Sequence, residues 1–137
     1  MKLLIDTNVV LDVILKREPF FARSFEVLAL SKKEDIQEYI SASAVTDIYY
    51  LAQRQLKNKD LAKSILKELF TVVSVAGVSE QEIQNALMLE WDDFEDAVQY
   101  SAARFSQING IITRNPDDFR KSEIPVWEPG QALERIK

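Results

Sequence analysis

Four acidic groups stand at separate places in a sequence that contains no histidine and no cysteine. They are Asp6, Asp47, the pair Asp93 and Asp96, and the pair Asp117 and Asp118. Without those two residue types, Ser-His-Asp triads, thiol nucleophiles and zinc sites made of imidazole or thiolate are excluded. Carboxylates and water are the usual ligands of Mg²⁺ and Mn²⁺. The acidic groups therefore indicate a metal site of the kind that activates water against a phosphodiester.

The first two groups also have ordinary structural interpretations. Asp6 directly follows the apolar run Leu3–Ile5, where an aspartate commonly caps the next helix. Asp47 lies within a predicted helix beside Ala44 and Ile48, so its carboxylate either has a partner or reaches solvent at the edge of that face.

The two acidic pairs also allow both a functional and a structural interpretation. Asp93 and Asp96 are three residues apart and share one face of a predicted helix, where their charges repel unless a cation lies between them. Acids in a first turn also complement the helix dipole. Asp117 and Asp118 follow Asn115 in a predicted turn, where Asp and Asn are common.

Strand and helix patterns alternate along the chain. The predicted strands are 3–5, 39–41, 71–75, 111–113 and 126–127. The predicted helices are 9–14, 20–31, 43–56, 59–70, 79–89, 93–107 and a short one from 129. Ser79, with Glu82 three residues later, predicts a capping box at the start of the 79–89 helix. This order predicts an α/β fold, a three-layer α/β/α sandwich with a central parallel sheet. We found no linker, repeat or low-complexity segment, so residues 1–137 are predicted to form a single domain. Ligands of such sheets bind beyond the carboxyl ends of the strands, which brings Asp6 and 115–118 to one crevice.

The charge balance argues against one class of nucleic-acid-binding protein. The net charge is −5, from 17 basic and 22 acidic side chains. A protein that coats nucleic acid by charge alone is expected to be basic, so this class is disfavoured. Asp6 and Asp12 interrupt the apolar start of the chain, which argues against a signal peptide. No stretch approaches the roughly 20 apolar residues of a membrane span. A cytoplasmic protein without membrane contact is expected.

Five segments resemble, in order, the blocks of PIN-domain nucleases. They are LIDTN at 4–8, SASAVTDIYY at 41–50, DFEDAVQY at 93–100, ITRNPDDF at 112–119, and 122–129. The nearest relatives by this resemblance are the VapC-like toxins of toxin–antitoxin pairs, including a bacterial subgroup with the Asp-Phe-Glu-Asp-Ala signature. The resemblance covers nearly the whole chain and implies one PIN-like domain over residues 1–137.

The resemblance implies RNA cleavage that depends on Mg²⁺ or Mn²⁺. Its implied catalytic, metal-holding carboxylates are Asp6, Asp47, Asp96 and Asp118, with Asp93 as a fifth metal ligand. Its implied supporting residues are Asn8, Thr113 and Asn115. Many family members carry Glu where this chain has the shorter Asp47. Arg114 is a candidate phosphate contact because its guanidinium can pair with phosphate oxygens, and a surface arginine is the ordinary alternative.

The resemblance also implies two partners, an RNA substrate and an antitoxin protein, and the apolar residues of the early helices indicate a homodimer. Phe20, Phe21 and Phe25 are candidates for the dimer interface, or else core residues. A basic run on two predicted helices either guides RNA or is a solvated face. It consists of Arg54, Lys57, Lys59, Lys63 and Lys67.

Three other interpretations were weighed. An aspartate-nucleophile phosphatase needs a second Asp two residues after the first, where this chain has Asn8. A phospho-acceptor receiver domain needs an acceptor Asp and a helper Lys at later strand ends, which 113–115 does not supply. The third is a non-catalytic α/β binding or signalling module whose acids only cap helices and form turns. Its nucleotide-binding version lacks a glycine-rich phosphate loop, since Gly77, Gly110 and Gly130 are isolated.

Overall fold

Five short parallel strands form the central sheet of the computed structural model, which describes residues 1–136. The strands are β1 (Lys2–Ile5), β2 (Gln37–Ser41), β3 (Ser74–Ala76), β4 (Gly110–Ile112) and β5 (Val126–Trp127). The helices are α1 (Thr7–Ile14), α2 (Phe21–Ala29), α3 (Ala42–Leu56), α4 (Lys59–Leu69), α5 (Glu80–Met88), α6 (Phe94–Phe105) and α7 (Pro129–Ile136). Short 3-10 turns occupy Leu30–Lys32 and Pro116–Phe119. The predicted α/β/α sandwich with a parallel sheet is confirmed.

The alternating directions of the β1 side chains explain the three layers. Leu3 and Ile5 are fully buried in one core, which they share with residues of α1, α2, α3, α4 and α7. Leu4 points into a second core, which it shares with α6 through Tyr100 and Ala103. Helix α5 packs against α6 from the same side. A strand buried on both faces needs a continuous apolar run, and β1 has one.

The strand order is β3-β2-β1-β4-β5, so the chain builds the sheet outward from β1 in one direction and then returns to its other side. Ile5 of β1 pairs with Ile112 of β4, and the Asp6 backbone N–H donates to the Ile112 carbonyl at 2.9 Å. This is the switch point, where the loops after two neighbouring strands diverge and leave a crevice. The residues that follow β1 and β4 meet there.

Two local expectations were wrong. The strand predicted over 71–75 begins only at Ser74, because Thr71 and Val72 close a turn on α4 through bonds to the carbonyls of Glu68 and Leu69. Of the two alternatives for Phe25, the core is wrong, since its side chain is 52% exposed. Its neighbour Ser24 takes the buried position instead, since its hydroxyl bonds a buried carboxylate of α1.

The capping box predicted at the start of α5 is confirmed. The Glu82 carboxylate accepts from the Ser79 backbone N–H at 2.8 Å. None of the helices in the described part of the chain has the length and apolar character to span a membrane.

Candidate active site

Asp6 lies at the switch point between β1 and β4, and its side chain is held by three donors. It is the N-cap of α1 and only 7% exposed. Its Oδ1 accepts from the Thr7 backbone N–H at 2.7 Å and from Gln99 Nε2 at 3.1 Å. Its Oδ2 accepts from Thr113 Oγ1 at 2.7 Å. Helix capping explains the first of these bonds and leaves the other two, which come from α6 and from the end of β4.

The first turn of α6 brings three more carboxylates to the same place. Asp93 caps the helix by accepting from the Asp96 backbone N–H at 2.9 Å. Burial raises the pKa of Asp96 to about 7, and repulsion between carboxylates adds to this effect. The repelling groups are, in decreasing order, Asp93, Asp6, Asp118 and Glu95. Mutual repulsion of this kind requires proximity, so the other four acids lie near Asp96.

Asp47 joins this group through Glu95. Asp47 lies on α3, half-buried, and Glu95 lies on α6 opposite it. Burial raises the pKa of Glu95 to about 7, followed by its hydrogen bond to Asp47 and the charge of that carboxylate. The longer Glu95 side chain therefore meets the shorter Asp47 across the gap between the two helices.

Six carboxylates thus form one group, which we call the acidic cluster: Asp6, Asp47, Asp93, Glu95, Asp96 and Asp118. Within residues 1–136, no lysine or arginine forms an ion pair with any of them. In the same part of the chain, no three of them are placed so that they could hold one metal ion as they stand. The fold gathers the five carboxylates selected from the sequence, but their side chains do not converge on one point.

Glu95 and Gln99 were missed by the sequence analysis. Glu95 stands in the same first turn as Asp96, and this position was the signal that could have found it. Gln99 is one turn further along α6 and only 1% exposed. Its place three residues after Asp96, on the same face of the predicted helix, was a signal too.

The predicted supporting residues lie around the loop after β4. Thr113 is fully buried and accepts from the Asn115 backbone N–H at 3.1 Å while it donates to Asp6. Asn8 Oδ1 accepts from the Arg114 backbone N–H at 3.4 Å, which ties α1 to this loop. The Asn115 carbonyl accepts from the Asp118 N–H at 3.1 Å. A groove runs past this loop, lined by Arg114, Asn115, Pro116, Asp117, Asp118, Val126, Glu128 and Gln131.

The Arg114 side chain is directed to Asp12 of α1. Its Nε donates to Asp12 Oδ2 at 2.7 Å and its Nη2 to Oδ1 at 3.2 Å. Arg17 Nε lies 3.2 Å from the same Oδ1, and Ser24 Oγ donates to Oδ2 at 3.1 Å. The guanidinium also stacks on the Phe20 ring, 3.9 Å from its centroid. Arg114 therefore fastens the loop after β4 to α1, and the edge of its guanidinium formed by Nε and Nη2 is already in use.

The donor atoms of the site fit a hard divalent cation. They are carboxylate, amide and hydroxyl oxygens, which Mg²⁺ and Mn²⁺ prefer. Two buried oxygens beside Asp6, Thr7 Oγ1 and Gln99 Oε1, have no hydrogen-bond partner among the described residues. Unsatisfied buried acceptors are uncommon and indicate a missing donor or ion.

Comparison with known families supports a specific relationship. The model of the PIN domain matches residues 2–117. No curated protein sequence matches the chain.

Solved structures share the fold at low sequence identity. The VapBC2 complex of Rickettsia felis, bound to a promoter DNA fragment, has a chain that is 17% identical with a TM-score of 0.72, covering 93% of this chain and 98% of that one. VapC20 of Mycobacterium tuberculosis, a toxin that cleaves the sarcin-ricin loop, is 17% identical with a TM-score of 0.70, covering 87% and 94%. A toxin–antitoxin complex of Klebsiella pneumoniae is 21% identical with a TM-score of 0.68, covering 92% and 96%.

Proposed function

This chain belongs to the PIN domain family, and we propose that it is a ribonuclease that hydrolyses RNA phosphodiester bonds with Mg²⁺ or Mn²⁺ held by the acidic cluster. One observation carries the proposal: six carboxylates lie near one another around the switch point, with no basic side chain paired to them among residues 1–136. We also propose that residues 1–137 act as one PIN-like domain.

The proposed ligands follow from position. Asp6, Asp96 and Asp118 would hold the main ion, while Asp47 and Asp93 assist or hold a second one. When bound, such an ion lowers the pKa of a water molecule bound to it and stabilises the negative charge that grows on the reacting phosphate. Thr113 and Asn8 keep Asp6 and the loop after β4 in place. Asp47, Asp96, Asp118 and Asp6 are the proposed catalytic carboxylates.

Glu95 suggests how this chain compensates for the short Asp47. Asp47 is a methylene shorter than the glutamate of many relatives, and Glu95 reaches across from α6 to contact it. A positive ion between the two would offset the repulsion between their negative charges. We therefore propose that Asp47 and Glu95 act as a pair in which Glu95 supplies the missing reach.

Arg114 is proposed to contact phosphate with fewer of its N–H groups than the sequence suggested. Its Nε and Nη2 donate to Asp12, so the Nη1 group is what remains for a phosphate beside the groove. Asn115 lines the same groove and is proposed to support the substrate there.

We further propose that the protein is the toxin of a toxin–antitoxin pair and meets its RNA in the cytoplasm. The similar structures from Rickettsia felis and Klebsiella pneumoniae are toxin–antitoxin complexes, and VapC20 cleaves an RNA loop. A homodimer is also proposed, since Phe20 and Phe25 are 39% and 52% exposed on the early helices.

A non-catalytic module whose acids only cap and turn is disfavoured by the same geometry. Capping explains Asp93 and one bond of Asp6. It does not explain why Asp96, Glu95 and Asp47 are brought together at an energetic cost, since like charges in a partly buried site repel.

The test is thermal unfolding in EDTA and then in Mn²⁺, for the wild type and Asp96→Asn. An ion that binds only the folded state stabilises it by about 2.7 kcal/mol at a hundred times its Kd. We expect Mn²⁺ to raise the midpoint of the wild type by several degrees and that of the variant much less.

Asp92→Asn is the matched control, because Asp92 stands beside Asp93 but pairs with Arg120 at 3.1 Å. It should respond to Mn²⁺ like the wild type, and the wild type but not Asp96→Asn should cleave RNA. If Mn²⁺ stabilises none of the three proteins, or Asp96→Asn cleaves RNA normally, the metal-dependent nuclease is wrong.

A further inference from the structure

Gln99 is a buried polar residue of α6 that packing alone does not require. The α6 residues around it that are also buried include Val98, Tyr100 and Ala102, which are apolar or largely so. A methionine of the same length would fill the position without a polar group to satisfy. The amide is therefore present for what it contacts.

The contact is with Asp6 across the switch point. Gln99 Nε2 donates to Asp6 Oδ1 at 3.1 Å. A carboxylate only accepts hydrogen bonds, so the NH₂ group must face Oδ1 and the amide orientation is fixed by chemistry. The Oε1 atom then faces away from Asp6 and has no partner among residues 1–136.

The three donors to Asp6 come from different parts of the fold. Thr7 belongs to α1, so its bond caps that helix, whereas Thr113 follows β4, so its bond holds the carboxylate to the end of the sheet. Gln99 alone, of these three, belongs to the helix that carries Asp96. It stands three residues after Asp96, on the same face of α6. Its bond therefore fixes the position of the Asp6 carboxylate relative to the carboxylates of α6.

We propose that Gln99 is a positioning residue that sets the affinity of the acidic cluster for its divalent ion by holding Asp6 against α6. The inference rests on the proposed metal-dependent function. Groups that orient metal-binding carboxylates through hydrogen bonds commonly change metal affinity 10- to 100-fold when they are removed. Gln99 meets this description, since it contacts a proposed ligand and stands beside another.

The test is a titration with Mn²⁺ alone, in which the free ion is followed by electron paramagnetic resonance. Gln99→Met keeps the length of the side chain and removes the donor. We expect its Kd for Mn²⁺ to rise about 10- to 100-fold over that of the wild type. Gln99→Asn keeps the amide but is one methylene too short, and it should weaken Mn²⁺ binding as well if the methionine variant fails to fold.

Ser101→Ala is the matched control. Ser101 is fully buried on α6, donates to the Ala97 carbonyl at 2.9 Å and accepts from Asn85 at 2.9 Å. Its removal disturbs the packing of α5 on α6, so its unfolding temperature should fall while its Kd for Mn²⁺ stays that of the wild type. Thr113→Val removes another donor to Asp6, and its effect on Kd should combine with that of Gln99→Met less than multiplicatively.

The outcomes separate the two proposals. If the wild type binds Mn²⁺ and the folded Gln99 variants bind it equally well, Gln99 has no positioning role and the nuclease proposal is unaffected. If Ser101→Ala weakens Mn²⁺ binding as much as Gln99→Met, the effect is general destabilisation and the inference is wrong. If the wild type behaves like Asp96→Asn and binds no Mn²⁺, the metal site itself is wrong, and the role of Gln99 falls with it.

Discussion

Asp6, which caps α1, and Asp12, which lies within that helix, have opposite electrostatic surroundings. Asp12 is fully buried and has a complete set of partners, with Arg114, Arg17 and Ser24 around its two oxygens. Asp6 is nearly as buried, but its nearest charged groups are other carboxylates. Around Asp12, the negative charge is paired with basic side chains, and these ion pairs stabilise the fold. The region around Asp6 keeps an excess of negative charge, which only something from outside the described chain can neutralise.

The two regions are joined by a single peptide segment. Thr113 bonds Asp6, and the next residue, Arg114, bonds Asp12. The loop after β4 is thus fixed to the N-terminus and the middle of α1 at once. A buried charge is tolerated when it is paired and becomes a candidate site when it is not. The following changes test whether this difference is real.

The largest effect is expected at Asp12. Asp12→Asn leaves Arg17 and Arg114 without their counter-charge, and breaking a buried ion pair from one side costs about 3 kcal/mol or more. The free energy of unfolding, measured in urea, should fall by that amount. Glu26→Gln, a change of an exposed acid on α2, should leave it unchanged. A loss below about 1 kcal/mol would mean that Asp12 is not the ion-pair site that the geometry indicates.

Glu38 is a third case, because burial alone raises its pKa and no basic or acidic neighbour contributes. It is 2% exposed in β2, and neither carboxyl oxygen has a hydrogen-bond partner among residues 1–136. Burial raises its pKa from 4.5 to about 9. At neutral pH it is therefore protonated in the folded protein and ionised in the unfolded one.

Glu38→Met should stabilise the protein by about 1–3 kcal/mol at pH 7, because an unsatisfied buried group is removed. Below pH 4.5 the wild-type side chain is protonated in both states and costs nothing by ionisation. As the pH rises from 4.5 to 9, the unfolded chain loses its proton while the folded one keeps it, so wild-type stability falls and the gap to the variant widens. Unfolding at several pH values measures this. A gap that does not change with pH, or one as large for the exposed Gln37→Leu, would contradict it.

Arg114→Lys tests whether the region around Asp12 also touches the substrate. Lysine keeps the charge but cannot form the two-pronged bond to Asp12, so stability should fall by about 1–2 kcal/mol. If Nη1 contacts phosphate, RNA affinity of the folded variant should also fall several-fold, as measured by filter binding well below its unfolding temperature. Unchanged affinity would make Arg114 a structural clamp only.

The smallest effect on stability is expected far from both regions. Lys63 and Lys67 are exposed and lie one turn apart on α4. Changing both to Ala should alter stability by less than about 0.5 kcal/mol. If this face guides RNA, binding should weaken and its dependence on salt should become shallower by about 0.7 per lysine in a log–log plot. Identical salt dependence would leave these lysines as a solvated face.

The secondary structure was largely predictable from the sequence, because apolar runs and helical periodicity are local signals. β1, β2, β4 and β5 were found, as were all seven helices, and the Ser79–Glu82 capping box was read correctly. The exceptions depended on tertiary structure. The face of α2 that is buried carries Ser24, whose hydroxyl donates to Asp12. A hydrophobic pattern does not reveal a polar contact of this kind.

The places of the candidate residues in the fold were more predictable than their contacts, and their roles remain a prediction. The strand ends and the first turn of α6 brought the selected carboxylates together, as the fold class required. The pairing of Glu95 with Asp47, the bond from Gln99 to Asp6 and the fastening of Arg114 to Asp12 join residues 48, 93 and 102 positions apart. Such partners are set by how the layers dock, which a single sequence does not reveal.

The strand order has a consequence for how the protein is made. β1 is synthesised first, but its neighbour β4 begins only at Gly110. Until that strand leaves the ribosome, Asp6 lacks Thr113 and Asp118, and the central strand has an open edge. A nascent chain therefore cannot assemble the site early, however long translation pauses before this point. Any activity that depends on these carboxylates therefore begins only after the segment with Thr113 and Asp118 has left the ribosome and folded beside β1.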